Sequence, residues 1–309
     1  MAQDELPAVM ETDRLRRFLF EDAPLRGHWV HLSQSWREAH EHQLLPAPAL
    51  SLLGESLAAT ALLSASLKFT GTLTLQLLGS TGAVRMLVAQ ATDTRTLRGV
   101  AHVADDAATR GPQFREQIDG GRMVVSVEQG GGAAPYQGVV SLEGESLASC
   151  LERYFAVSEQ LPSLLVLAAD AERAAGLLLQ KLPAPSSQGE AAAAGVQDLW
   201  EEATALLATL GAEELLDTKP ELLLQRLFGS HDLRLFEAEP VAFACRCDRE
   251  RVMSLLRGLG RLEVESILEE QGAVTVTCEF CQRPYRFDAV DAAQLFAPGT
   301  AAEGSASLN

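Results

Sequence analysis

CysArgCys at 245–247 and CysGluPheCys at 278–281 decide how this chain is read. Four of its five cysteines stand in these two tight pairs, both in the last quarter of the sequence. A paired thiol grips half of a tetrahedral metal site, and two pairs complete a four-sulfur shell suited to zinc. The second pair has the common two-residue spacing. The first has a single residue between its sulfurs, and the gap of residues 248–277 is longer than in the usual zinc ribbon. The pattern predicts one closed Zn²⁺ site on Cys245, Cys247, Cys278 and Cys281 rather than a generic zinc finger. Two other readings stand beside it: a zinc knot with a structural role alone, and a thioredoxin-like redox dithiol, because CysXXCys serves both chemistries. No strand-then-helix redox context surrounds Cys278, and GlnArgProTyrArgPhe follows Cys281. Both points weigh against the dithiol.

The cysteine domain is expected over residues 231–297. Val241–Ala244 leads into the first pair, residues 249–258 and 264–270 read as helices, and a strand over 273–277 delivers Cys278 to a return strand over 285–288. The tail 298–309 is small, polar and expected to be disordered. Upstream, residues 183–230 form an acidic helical linker. It opens on ProAlaProSerSerGlnGlyGlu, a breaker-rich boundary, and continues as leucine-rich acidic sequence from Val196 to Phe228. That segment has no core of its own, so its leucine and tryptophan faces must lie on something else, most simply an N-terminal sheet.

Residues 1–182 read as an α+β core domain dominated by antiparallel pairing. After a loose tail at 1–12 come a short strand over 28–33, a helix over 36–45 and a long apolar helix over 49–68. The period then changes to two. Strands are expected at 72–78, 84–90 and 97–103, a hairpin at 123–128 and 137–142 around a flexible glycine-rich loop, and a helix at 146–158. Two further strands follow at 163–169 and 176–182, the second with some helical character. GlySerThrGlyAla at 79–83 lacks the lysine and strand-to-helix setting of a phosphate loop, and reads as a turn.

Composition narrows the function. The 309 residues are 47% hydrophobic, enough for a sizeable core. A formal net charge of −17 argues against sequence-independent binding of nucleic acid and against docking on an anionic membrane. No basic region precedes an apolar core at the start, and the most apolar stretch, 50–67, carries Glu55 and four serines. It reads as a buried helix, so neither a secretory signal nor a membrane span is expected. Clustered cysteines in such a chain point to metal and a reducing cytoplasm. Cys150 reads as a buried small hydrophobe. His231 is the histidine nearest the cysteines, but four thiolates already complete the shell. Arg246, Arg249 and Arg251 read as a solvated basic face. No catalytic constellation can be placed from spacing, so no enzyme is expected.

The cysteine words PheAlaCysArgCysAspArgGluArg (243–251), SerIleLeuGluGluGlnGly (266–272) and CysGluPheCysGlnArgProTyrArgPheAsp (278–288) resemble those of the redox-regulated heat-shock chaperones of about thirty-three kilodaltons, the HslO-type holdases. AlaThrAlaLeuLeuSerAlaSerLeuLysPhe (59–69), TyrGlnGlyValValSerLeuGluGly (136–144) and TyrPheAlaValSerGluGlnLeuProSer (154–163) extend the likeness over about residues 13–297. The resemblance implies an ATP-independent holdase, inactive while its four cysteines hold one zinc. On oxidation it would release the metal, pair Cys245 with Cys247 and Cys278 with Cys281, and bind unfolded or oxidatively damaged clients. It further implies a homodimer on activation and ATP-driven foldases downstream. The rival readings are a zinc-ribbon nucleic-acid binder, which the charge opposes, and a thiol–disulfide oxidoreductase.

Overall fold

The computed structural model describes residues 13–129, 136–183 and 190–297, with side chains of the last stretch from residue 194 on. The expected tails at 1–12 and 298–309, the glycine-rich loop at 130–135 and the breaker-rich residues 184–189 lie outside the described residues. Packing divides the chain into two compact units, Met1–Ala244 and Cys245–Asn309.

Apolar alternation in the first unit becomes strands, much as the period-two stretches predict. In order, the elements are β1 (Arg14–Phe20), β2 (Leu25–Leu32), α1 (Gln34–His40), α2 (Ala47–Ser66), β3 (Gly71–Leu78), β4 (Val84–Thr92) and β5 (Thr96–Val103). Then come α3 (Phe114–Gln117), β6 (Arg122–Gln129), β7 (Tyr136–Ser141), α4 (Leu147–Ser158), β8 (Ser163–Ala169) and β9 (Ala174–Lys181). The unit ends with α5 (Glu190–Leu207), α6 (Ala212–Asp217), α7 (Pro220–Phe228), β10 (Leu233–Leu235), β11 (Glu239–Pro240) and β12 (Ala242–Phe243). One sheet has the order β10-β1-β2-β9-β8, with β11 also on β1, and the other β12-β5-β4-β3-β6-β7. Pairing is antiparallel except where β12 joins β5 in parallel. The architecture is α+β, as the sequence indicates.

α2 packs against strands of both sheets, and this explains its composition. Leu53, Leu57, Ala58, Ala59, Leu62 and Leu63 are all essentially inaccessible, so the helix is apolar almost all round. Its buried hydroxyls are returned to its own backbone: Ser56 Oγ donates to Leu52 O at 2.7 Å and Thr60 Oγ1 to Ser56 O at 2.6 Å. Among the described residues it is the one helix long and apolar enough to cross a membrane, and most of it is buried inside the protein.

The first sheet is covered on both faces. Even-numbered Val30, Leu32 and Leu178 face the core around α2, whereas Leu25, Trp29, Leu177 and Leu179 face the opposite way with Phe18 and Phe20. Burial on both sides gives β9 a continuous apolar run, which is why its sequence has helical character as well. Phe18 lies over Gly27, its cross-strand partner: a Cβ there would meet the Phe18 ring at 2.0 Å.

The acidic segment closes the outer face. α5, α6 and α7 bury Leu199, Ala203, Leu207, Leu215, Leu216, Leu223 and Phe228 against the aromatic side of the sheet. Helices this short are marginal alone in water, so this docking is what holds them. Each buried leucine contributes about 1.5–3 kcal/mol, whereas the ion pairs Arg16–Glu221 (3.0 Å) and Arg226–Glu214 (3.0 Å), each with one partner about half exposed, add little. Packing therefore draws the boundary at Ala244 rather than at residue 183 or 231. Residues 233–243, read from sequence as the start of the cysteine domain, instead add β10 and β11 to β1 and β12 to β5. The physical reason is backbone pairing at open sheet edges, which a two- or three-residue strand can satisfy with no apolar period.

One polar contact crosses this docked layer in the buried region. His31 Nε2 donates to Leu216 O at 3.1 Å, its ring stacks on Trp29, and its Nδ1 has no partner. Burial lowers the imidazole below its ordinary value; the Leu216 carbonyl opposes this, Arg173 adds to it, and Asp13 and Asp170 offset part. The charged groups around it are Arg173 and Asp170 in the β8–β9 turn, Asp13 and Arg14 before and in β1, and Asp217 at the end of α6, which pairs with Arg173. His28, on the other face, is held down at about 3 by burial and by Arg26 and stays neutral near neutrality. Because docked His31 prefers to be neutral, docking is fully stable well above the ordinary histidine value of about 6.5. It weakens as pH falls from there toward the lowered value, by up to about tenfold in equilibrium constant per pH unit. Hydrogen exchange of α6 amides is expected to show this loss of protection between pH 7 and 5.5. His31→Gln, which keeps an N–H for Leu216 but cannot titrate, should remove it; equal pH dependence in both proteins would refute the assignment.

Candidate metal centre

The second unit is small. α8 (Arg249–Leu259), α9 (Arg261–Gln271), a hairpin of β13 (Val274–Thr277) and β14 (Pro284–Phe287), and α10 (Ala289–Leu295) enclose eight buried residues, among them Val252, Leu256, Val264, Val274 and Phe287. Local signals fix the ends of these elements. Asp248 caps α8 by accepting from Arg251 N–H at 2.7 Å, Gly272 closes α9 in the left-handed region (φ 72°), and Asp288 caps α10 in a capping box with Asp291. α10 is absent from the sequence reading, although Asp288 and Asp291 carry the capping-box spacing that would have placed it.

The four predicted sulfurs converge. Cys245 and Cys247 stand just before α8; Cys278 and Cys281 flank the turn between β13 and β14. Sγ of Cys245 lies 3.6 Å from that of Cys278, Sγ of Cys247 lies 3.4 Å from that of Cys281, and all four fall within 4.8 Å of one another. A cation about 2.3 Å from each sulfur of a tetrahedron needs sulfurs about 3.8 Å apart, so the array has the right size. Four soft sulfur donors with no carboxylate or imidazole in the set suit Zn²⁺. The hairpin turn is built for this. Gln282 adopts a left-handed conformation (φ 53°) and donates from its backbone to Cys278 O at 2.8 Å, and Cys278 N–H donates to Arg283 O at 3.0 Å. Backbone N–H groups of Cys247 and Arg283 point at the sulfurs of Cys245 and Cys281.

Left to themselves the sulfurs share protons unequally. Burial raises Cys247, but the Tyr285 hydroxyl at 3.2 Å and the neighbouring thiols donate to it and bring it down to about 7. Cys281 is pushed up to about 12, by burial first and then by the sulfurs around it, and Cys245 is also raised by burial. Four thiolates this close need a cation among them, which would deprotonate all four.

Arg249 is exposed, as a solvated face would have it, and also makes specific contacts. Its guanidinium lies 4.2 Å from the centre of the Phe287 ring, donates to Arg286 O at 2.8 Å and pairs with Asp291 at 2.7 Å, tying α8 to β14 and α10. Arg251 donates to Arg246 O at 2.7 Å beside the first cysteine pair. Sequence reading missed both roles and that of Tyr285, because no spacing rule marks a residue that supports a ligand from another element. His231 belongs to the first unit, against Glu202 (3.3 Å) and Phe20, and is not among the metal-ligating group. Cys150 is 1% exposed inside α4, as expected of a buried hydrophobe. Cys278 is followed by a turn rather than a helix, so the thioredoxin-like setting is absent here.

An α+β unit with an acidic helical layer, and a module in which four cysteines converge, is the arrangement that the sequence likeness leads one to expect. The family model described as "Hsp33 protein" matches residues 13–288. The chain is 48% identical over 284 residues to the "33 kDa chaperonin" of Nitrosococcus oceani, covering 92% of this chain and 94% of that one. It is 43% identical to the protein of the same name from Pseudomonas paraeruginosa, over 96% and 98% of the two chains. The crystal structure of the 33 kDa chaperonin (heat shock protein 33 homolog) from Thermotoga maritima superposes with a TM-score of 0.76 at 25% identity, over 92% of this chain and 97% of the other. The chain belongs to the Hsp33 family of chaperones.

Tyr285→Phe deletes the hydroxyl on Cys247 while keeping the ring in its small core. Loss of such a supporting hydrogen bond lowers metal affinity by about 10–100-fold in general. Competition against a zinc chelator should show a fall on the order of tenfold; unchanged affinity would remove Tyr285 from the site.

Proposed function

We propose that this chaperone is an ATP-independent holdase switched by oxidation of Cys245, Cys247, Cys278 and Cys281. In the reduced state these residues would hold one Zn²⁺, which supplies the cross-link that the second unit lacks. The observation that carries the reading is the convergence of four sulfurs, contributed by segments more than thirty residues apart in sequence, inside a unit whose described core is a cluster of eight buried residues.

The chemistry follows from thiolates held side by side. Peroxide transfers an oxygen to one thiolate, giving a sulfenic acid and hydroxide; a neighbouring thiolate displaces hydroxide from that sulfur and closes a disulfide. Each disulfide consumes one peroxide and two thiolates. Pairing of Cys245 with Cys247 and of Cys278 with Cys281 rests on the family likeness, since mutual sulfur distances below 4.8 Å leave every pairing open. Such local rings are worth roughly 2 kcal/mol each, against about 10–16 kcal/mol of apparent folding free energy from a structural zinc. Neither ring bridges the two segments, so oxidation unfolds the module.

Release then spreads along the chain. Cys245 follows β12 after a single residue, and β10 follows the acidic helices directly. Loss of these edge strands loosens α5–α7, and the aromatic face of Phe18, Phe20 and Trp29 beneath them becomes available to unfolded or oxidatively damaged clients. The activated form would act as a homodimer in the cytoplasm and pass clients to ATP-driven foldases. A zinc-ribbon role on nucleic acid is opposed by the charge of −17.

The reduced protein and the protein treated with peroxide at mild heat are to be compared for bound zinc, free thiols and suppression of aggregation of an unfolding client. One zinc should be lost, four thiols should disappear while Cys150 persists, peptide mapping should find the two local disulfides, and only the oxidised protein should hold the client. A metal-free reduced protein, or an oxidised one as well folded in its second unit as before, would overturn the proposal.

A further inference from the structure

Between the first half of α2 and the segment carrying α3 lies a cavity of about 240 Å³ that neither the cysteine switch nor the acidic layer uses. A water occupies about 30 Å³ in the liquid, so the space suits a small organic molecule. Pro48, Leu52, Pro112 and Phe114 supply apolar walls. Ser51, Glu55, Gln117 and Ser146 are the polar side chains that line it.

Glu55 lines it without a hydrogen bond or ion pair to any described residue. Its side chain keeps contact with the cavity, but the atoms around it strip most of its solvation and push the carboxyl up to about 7. Gln117 is 2% exposed; its Nε2 donates to Gly111 O at 2.5 Å, which fixes the amide orientation and leaves Oε1 buried with no partner. Ser51 Oγ gives its hydrogen to Ala169 O at 2.8 Å, and Ser146 Oγ is spent on the cap of α4, where it accepts from Ser149 N–H at 3.1 Å. Among the described residues no cationic side chain lines the space. An unpaired buried acceptor is costly, and a cavity lined by both a carboxylate and an orphaned amide oxygen calls for a donor that also carries positive charge.

We propose that this cavity binds a primary ammonium carried on a short apolar stem, with Glu55 and Gln117 Oε1 as acceptors and the proline, leucine and phenylalanine walls around the stem. A free small amine and the tip of a lysine side chain share that chemistry. Binding should select the ionised carboxylate, so affinity should fall about tenfold from pH 8 to pH 6 as Glu55 takes up its proton.

The test uses the full-length reduced protein, titrated with n-butylammonium chloride and, in parallel, n-butanol, followed by leucine-methyl NMR and calorimetry. Saturable binding that shifts the Leu52 methyls, falls about tenfold between pH 8 and 6, weakens at least tenfold in Glu55→Gln and is absent for n-butanol supports the site. Nα-acetyl-lysine methylamide binding as well would assign the carrier to lysine side chains; butylammonium alone would assign it to free amines. No saturable shift with either amine, equal binding of the alcohol, or a flat pH profile overturns the proposal, and these readouts decide even if Glu55→Gln does not fold.

Discussion

Four sulfur atoms brought within 4.8 Å of one another are the constraint on which the second unit depends. Its apolar core is too small to hold a domain of this length unaided. What it has in addition is a set of local devices that aim the sulfurs: the Asp248 cap, the left-handed turn at Gln282, the Tyr285 hydroxyl and the Arg249 clamp on Phe287 and Asp291. Each contributes about 1 kcal/mol or less, in the usual range for caps, exposed pairs and ring contacts, so they orient ligands rather than secure the fold. A unit of that kind gains most from whatever grips the sulfurs together.

The first unit works in the opposite way. α2 is locked between two sheets by a continuous apolar core, and nothing in that core answers to thiol chemistry, since Cys150 is sealed within it. The layer α5–α7 is held by a single face. Its leucines grip the sheet while its surface carries Asp198, Glu201, Glu202, Glu213 and Glu214, whose mutual repulsion is tolerated only because burial outweighs it. A layer with strong apolar contacts and an acidic exterior is soluble once it lets go. The sheet face beneath it, with Phe18 and Trp29, is what must be kept covered.

Much of this was legible in the chain. Cysteine spacing located all four sulfurs, because metal chemistry demands residue types at short intervals. Period-two alternation placed β2 to β8 to within a few residues, because one face of each meets a core, but it left β1 unassigned. The reading faltered where structure is set by partners rather than by period. β10, β11 and β12 are two or three residues long and exist because β1 and β5 leave open edges, so 231–244 went to the wrong unit. β9 has apolar residues on both faces, which erases the alternation. Arg249 and Tyr285 act on atoms more than thirty residues away, and no local pattern announces such a contact.

The weak layer also explains why two kinds of stress can converge on one surface. Under the proposed switch, oxidation acts at the cysteines and reaches α5–α7 only through β10–β12, a route made of short strand pairings. His31 acts on the same layer directly, through the Leu216 carbonyl, and needs no thiol chemistry at all. Because the two inputs strike different contacts of one marginal element, their effects on the docking equilibrium multiply rather than compete. Neither has to release the layer alone: the acidic helices need only be poised so that the sum of two modest losses exceeds the apolar grip that holds them.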